Sequence, residues 1–139
     1  MVGILTGMSH VLAVLVRLAA LGIALAVYAT LVVPSMSDAG DADIGAGLIA
    51  FAALALAGFG GALLDARRRG ARTALGWWLV VAAGLAVGWW VALAVPQDGS
   101  ASFGELLAQD AGLLPFTFAL VAVPATLGAA LGRALPRPA

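Results

Sequence analysis

The sequence predicts an all-α integral membrane protein, a four-transmembrane-helix bundle with both termini on the cytoplasmic side. Apolar residues make up 63% and charged residues 10% of the 139-residue chain, whereas soluble domains average about 45–50% and 25%. The apolar residues form four runs, each near the roughly 20 helical residues that cross a bilayer. Every Arg lies near one set of run ends and six of the seven acids lie near the other. Because basic residues favour the cytoplasmic side, this segregation predicts the orientation of a single domain spanning residues 1–139.

The first span is predicted over residues 11–33, ending at Pro34, which cannot continue the helical hydrogen-bond ladder. No Lys or Arg precedes residue 17, so we favour a retained span over a signal peptide cleaved near residue 29. Arg17 lies about two turns inside the span, at a depth from which a long side chain can reach the headgroups. The alternatives are an anion or lipid site at Arg17, or an ion pair with Asp65. Arg68 and Arg69, three and four residues after Asp65, compete for the same carboxylate.

The stretch from Asp65 to Arg72 separates the second and third apolar runs. Its basic side chains are predicted to contact anionic lipid headgroups on the cytoplasmic side: Arg67, Arg68, Arg69 and Arg72. No aromatic residues are interleaved with them, so the sequence does not indicate nucleic-acid binding. All seven basic residues are Arg, and with the abundant Ala and Gly this favours a bacterial source and hence a bacterial inner membrane.

The second span, residues 44–64, is rich in Gly and Ala, which predicts that it is the packing centre of the bundle. The third span, residues 73–95, carries one pair of Trp residues near each end, typical of an aromatic belt with wet indole N–H groups. The fourth span, residues 113–131, contains Pro124, where a kink is expected. Small-residue spacings on the third and fourth spans predict helix-packing positions: Gly84, Gly88, Gly128 and Gly132.

Two acidic loops are predicted on the outer side. The first holds Asp38, Asp41 and Asp43, whose spacing matches a calcium-binding loop only weakly, so we interpret it as a solvated loop. In the second, Ser102 and Glu105 have capping-box spacing, which predicts a short helix lying on the membrane surface. Glu105 and Asp110 are candidates for a cation or proton site, although solvated carboxylates are the simpler interpretation.

No stretch carries a catalytic, metal-binding or cofactor-binding signature. The chain has no Cys and one His, His10, which rules out thiolate sites and histidine clusters within one chain. No cofactor is expected. The candidate functional or structural residues are therefore Arg17, Asp65, Pro124, Glu105 and Asp110.

The functional prediction is a small polytopic protein that serves as a non-catalytic accessory, assembly or interaction subunit of a membrane complex. This prediction rests on two observations. The centres of the spans have no ionisable groups, and the second, third and fourth spans have small-residue faces suited to helix packing. The partners expected are the lipid bilayer and either a larger membrane complex or further copies of the chain. A small passive channel or carrier around Pro124, in one copy or an oligomer, is the alternative. A membrane-embedded enzyme using the outer-loop carboxylates comes third.

Overall fold

A computed structural model of the chain describes residues 2–36, 42–95 and 102–135, with side chains described for residues 10–35, 44–95 and 102–135. The described residues form helices and short connections. Their elements are α1 (Val2–Val27), a π-helical turn (Tyr28–Val32), α2 (Val33–Met36), α3 (Ala42–Arg69), α4 (Ala71–Leu93), α5 (Phe103–Gln109) and α6 (Leu113–Ala134). Four helical segments are long and apolar enough to cross a membrane: His10–Ser35, Ile44–Arg69, Ala71–Leu93 and Leu113–Ala134.

The first span does not end at Pro34 as predicted, because helix α2 carries it to Met36. The π-helical turn lies directly before this proline, and the backbone N–H of Val33 donates to the carbonyl of Tyr28, five residues back. A proline ring in a regular α-helix crowds the carbonyl four residues earlier. The wider π turn changes that spacing, which explains how the chain accommodates Pro34 and remains helical.

Helix α3 extends five residues past the predicted end of the second span, so residues 65–69 are helical rather than part of a loop. A single residue, Gly70, joins α3 to α4. Its φ of 92° lies in the region that side chains with a Cβ rarely adopt. The tight connection fixes the last turn of α3 beside the first turns of α4, which positions the polar cluster described below.

Helices α3, α4 and α6 pack together as the core, with the most extensive contact between α3 and α6. The core consists mostly of Ala, with Val81 and Val121 as its largest fully buried side chains. This agrees with close packing through small residues, including those of the second span. The first span lies against α4 and is packed less closely, because none of its described residues is buried. Leu18, Leu21 and Leu25 pack against the core and are only partly buried.

The bundle has two chemically different ends. At one, which we call the arginine-rich end, the last turn of α3 carries Arg67, Arg68 and Arg69 and the last turn of α6 carries Arg133. At the other, the acidic end, α5 carries Glu105 and is followed by Asp110. Apart from Asp65, which lies in α3 beside these arginines, the described charges are therefore segregated along the long axis of the bundle.

Candidate functional site

Asp65 is the buried acid of the described chain, and it lies on the last turn of α3 at the arginine-rich end. Its carboxylate accepts three hydrogen bonds from two other helices. Arg17 of α1 donates from Nε to Oδ2 at 3.0 Å and from Nη2 to Oδ1 at 2.6 Å. Trp78 of α4 donates from Nε1 to Oδ2 at 3.0 Å. One carboxylate therefore joins three of the four long helices.

Of the alternatives for Arg17, the ion pair with Asp65 is present in the structure. Their side chains are 24% and 12% exposed, and the two parallel N–H···O bonds have the fork geometry that makes Arg–carboxylate pairs strong and directional. The remaining Nη1 group of Arg17 donates to the carbonyl of Ala13 at 2.7 Å, one turn earlier in α1. Arg17 thus points back toward the arginine-rich end, as snorkelling requires, but its head group is held by protein.

Trp78 corrects the aromatic-belt interpretation of the inner tryptophan pair. Its side chain is 4% exposed and that of Trp77 is 6% exposed, so neither lies open at a headgroup boundary. The ring of Trp78 is accommodated by Gly61, where an added Cβ would overlap the indole. Gly61 lies four residues before Asp65 on the same face of α3. The four-residue spacing of Gly61 and Asp65 is visible in the sequence. It does not identify the side chain on another helix that packs against them.

Trp77 extends the cluster in the direction of α1 and the Arg-rich turn. Its Nε1 donates to Nδ1 of His10 at 3.0 Å, and the two rings are tilted with centroids 5.2 Å apart. The guanidinium carbons of Arg17 and Arg69 lie 5.0 Å and 5.1 Å from the centroid of the Trp77 ring. Both distances fall in the range of cation–π attraction. His10, the single His of the chain, is thus an acceptor for a buried indole.

The cluster of Arg17, Asp65, Trp78, Trp77 and His10 is built to hold helices together. The charged groups of Arg17 and Asp65 face each other, and the side-chain N–H donors of Arg17, Trp77 and Trp78 have acceptors within the protein. No nucleophile with an adjacent base is present in it. Within the described part of the chain, no group of three or more His, Cys, Asp or Glu residues is arranged to hold a metal ion.

The packing glycines differ sharply from one another. A Cβ at Gly128 would overlap the backbone carbonyl of Phe59, and one at Gly132 would lie 2.7 Å from the carbonyl oxygen of Leu63. At these two residues the backbones of α6 and α3 approach each other closely. Gly84 faces Leu18 of α1 more loosely, with its Cβ position 3.0 Å from a terminal methyl group. Gly88 has open space at its Cβ position, so the close approach predicted there is not made within this chain, and a contact between copies stays a prediction.

Pro124 lies inside α6, which is assigned as one helix from Leu113 to Ala134. Its neighbours on the core side are closely packed: Val121 and Ala125 are fully buried, and Gly128 contacts α3. Thr126 donates its hydroxyl to the carbonyl of Ala122 at 2.7 Å.

At the acidic end, the predicted capping box is present. The hydroxyl of Ser102 accepts from the backbone N–H of Glu105, whose carboxylate accepts from the backbone N–H of Ser102 at 2.8 Å. The Ser102 backbone and hydroxyl donors hold the pKa of Glu105 below its ordinary value. Glu105 therefore serves as part of a helix cap. Among the described residues, Glu105 and Asp110 belong to no group of three or more side chains that could hold a metal ion. The loop with Asp38, Asp41 and the side chain of Asp43 lies outside the described residues.

Two contacts near the acidic end were not predicted from the sequence. The hydroxyl of Tyr28 donates to the carbonyl of Ala46 at 2.8 Å, which ties the π-helical turn to the first turns of α3. Trp90 donates from Nε1 to the carbonyl of Leu107 at 2.9 Å and so fastens α5 to α4. Tyr28 is the single Tyr of the chain and lies in an apolar span, where its hydroxyl needs a hydrogen-bond partner. Its acceptor is a backbone carbonyl, which no residue pattern distinguishes.

Comparison of the chain with protein-family models, curated proteins and solved structures finds no match.

Proposed function

We propose that the protein is a non-catalytic accessory, assembly or interaction subunit of a membrane complex, and that its first span is the surface that meets the partner. The observation that carries this proposal is the way this span is attached. None of its described residues is classed as buried, yet polar contacts tie it to α3 at both ends, through Arg17 and Tyr28. A helix fixed in position with most of its surface uncovered is suited to receive another helix.

The use of the polar side chains supports a non-catalytic role. Arg17 and Asp65 are the strongest candidates for chemistry within the described spans, and each is engaged with the other and with further protein groups. Proton-coupled carriers and pumps keep an ionisable group accessible deep in the membrane. Around Pro124, the close contact of α6 with α3 gives no support to a pore at that position.

The exposed arginines support binding to anionic lipid headgroups on the cytoplasmic side. Arg68, Arg69 and Arg72 are exposed at the arginine-rich end, where they would meet the negatively charged inner leaflet of a bacterial inner membrane. In the same proposal α5 lies on the outer surface, with Phe103 exposed for insertion at the boundary. Both termini are then cytoplasmic.

The orientation is testable with single cysteines, since the chain has none of its own. In intact cells, Cys introduced at Ser37 or Ser100 is expected to react with a membrane-impermeant thiol reagent. Cys introduced at Thr73 is expected to react only after the membrane is permeabilised, because it follows the Arg-rich turn. Labelling is read as a mass shift of the purified protein. The reverse pattern would contradict the proposed orientation.

The accessory role is tested by affinity purification of the tagged protein from its native membrane in mild detergent. We expect a partner in fixed stoichiometry that is lost when Ile23 of α1 is replaced by Trp. The matched control is Leu127→Trp on α6, since Ile23 and Leu127 are 64% and 59% exposed. The control should keep the partner if α1 is the contact surface.

The same preparation separates the accessory role from a passive channel or carrier. The pure protein in liposomes is expected to show no selective flux of ions or small solutes. Recovery without a stoichiometric partner, together with selective flux that Pro124→Ala abolishes, would overturn the proposal in favour of a channel or carrier.

A further inference from the structure

A large cavity lies between the four long helices in the half of the bundle nearer the acidic end. Its volume is about 650 Å³, and a separate cleft of about 340 Å³ lies beside it between α1 and α4. Tyr28 and Ala29 line it from the π-helical turn, Gly47 and Ala50 from α3, and Trp89 and Thr117 from α4 and α6. This size is within the range of ligand pockets, roughly 300–1,000 Å³.

Water is a poor occupant of this cavity. Filling 650 Å³ at about 30 Å³ per molecule would take on the order of 20 waters, each needing about 2–4 polar partners. Only three lining side chains carry a polar group, namely Tyr28, Trp89 and Thr117. The Tyr28 hydroxyl already donates to the carbonyl of Ala46. An empty cavity of this size would forfeit the dispersion contacts of its walls, so an apolar occupant is favoured.

The cavity borders a gap between the first span and α3. A second space of about 280 Å³ lies between these helices and is lined by Leu21, Ala24, Ile49 and Ala53 among others. The two spaces share the side chains of Leu25, Tyr28, Ala50 and Leu54. The polar contacts through Arg17 and Tyr28 hold α1 beside α3 at either end of this gap. The gap therefore faces the hydrocarbon region when the four helices span a membrane.

We propose that the cavity binds one hydrocarbon chain of a membrane lipid, which reaches it through the gap between α1 and α3. The gap opens to hydrocarbon, the walls are apolar, and the lipid is the apolar molecule present at high concentration at that opening. The wall of the cavity includes the π-helical turn at Tyr28 and Ala29, and such turns occur frequently at functional sites. This lipid site is independent of the accessory role proposed above.

The test uses the full chain purified in mild detergent and titrated with phosphatidylglycerol whose acyl chains are dibrominated, because bromine quenches Trp fluorescence on contact. Trp89 lines the cavity and is the reporter. We expect saturable quenching at about one lipid per protein, reversed by the same lipid without bromine. The variant Trp89→Phe is expected to lose most of the saturable signal.

Gly47→Leu is the blocking variant, since Gly47 lines the cavity and its Cβ position is open. Gly45→Leu is the matched control: Gly45 is on the same helix, also has open space at its Cβ position, and is not among the residues lining the cavity. We expect Gly47→Leu to weaken binding at least about tenfold, as the loss of about two buried methylene contacts would, and Gly45→Leu to leave it unchanged.

Quenching that rises without saturation, or that falls equally in the two glycine variants, would overturn the proposal. Retention of binding in Gly47→Leu would do the same. If Gly47→Leu fails to fold, Ala50→Leu replaces it, with Ala52→Leu as its control, because Ala50 lines the cavity and Ala52 does not.

Discussion

Replacing Asp65 by Ala is expected to destabilise the protein by about 3–5 kcal/mol, the range found when one partner of a buried ion pair is removed. The substitution leaves the Arg17 guanidinium without its counter-charge and the buried Trp78 N–H without its acceptor. The measurement is the free energy of unfolding in mixed micelles of mild detergent and sodium dodecyl sulfate. Asp65→Asn should cost less, since an amide oxygen still accepts from Trp78.

The double variant Arg17→Ala/Asp65→Ala separates the ion pair from the rest of the cluster. We expect it to be more stable than Asp65→Ala alone, because no unpaired charge remains, with a coupling energy within about 0.5–3 kcal/mol. The neighbouring Arg68→Ala is the control and should be neutral, since Arg68 is exposed. Additive effects of the two single substitutions would contradict the pairing as a stabilising contact.

Replacing Gly128 by Leu is expected to have the second-largest effect, because even a single Cβ there overlaps the backbone carbonyl of Phe59. A backbone atom cannot rotate away as the end of a side chain can, so α6 and α3 must separate. Overpacking costs about 1–3 kcal/mol, and occasionally more, for added methylenes in a well-packed core. We expect Gly128→Ala to fall within this range and Gly128→Leu at or above its upper end.

Gly88→Leu is the matched control, because Gly88 lies in a membrane-spanning helix and has open space at its Cβ position. It is expected to change the free energy of unfolding of the single chain little. The same micelle unfolding assay compares the variants. Equal destabilisation at Gly88 and Gly128 would show that the loss of glycine matters through helix flexibility and not through contact between α6 and α3.

The sequence by itself determined the helical fold and the approximate positions of the four long helices. Hydrophobic runs of sufficient length identify helices in lipid because every backbone polar group must be satisfied within its own segment. The capping box at Ser102 and Glu105 was equally readable, since its two hydrogen bonds join residues three apart. The pairing of Arg17 with Asp65 could also be predicted, because Asp65 is the one acid of the sequence near the Arg-rich ends of the spans.

Tertiary structure alone decided which residues of each helix face a neighbour. Gly84, Gly88, Gly128 and Gly132 look equivalent in the sequence, yet a Cβ at Gly128 or Gly132 would overlap the α3 backbone and one at Gly88 would meet open space. In lipid, apolar residues on all sides of a helix are tolerated, so periodicity does not mark the buried face as it does in a soluble protein. The burial of Trp78 against Gly61 and the cavity beside Tyr28 depend in the same way on how the helices are placed, and that placement is set by contacts between residues far apart in the chain.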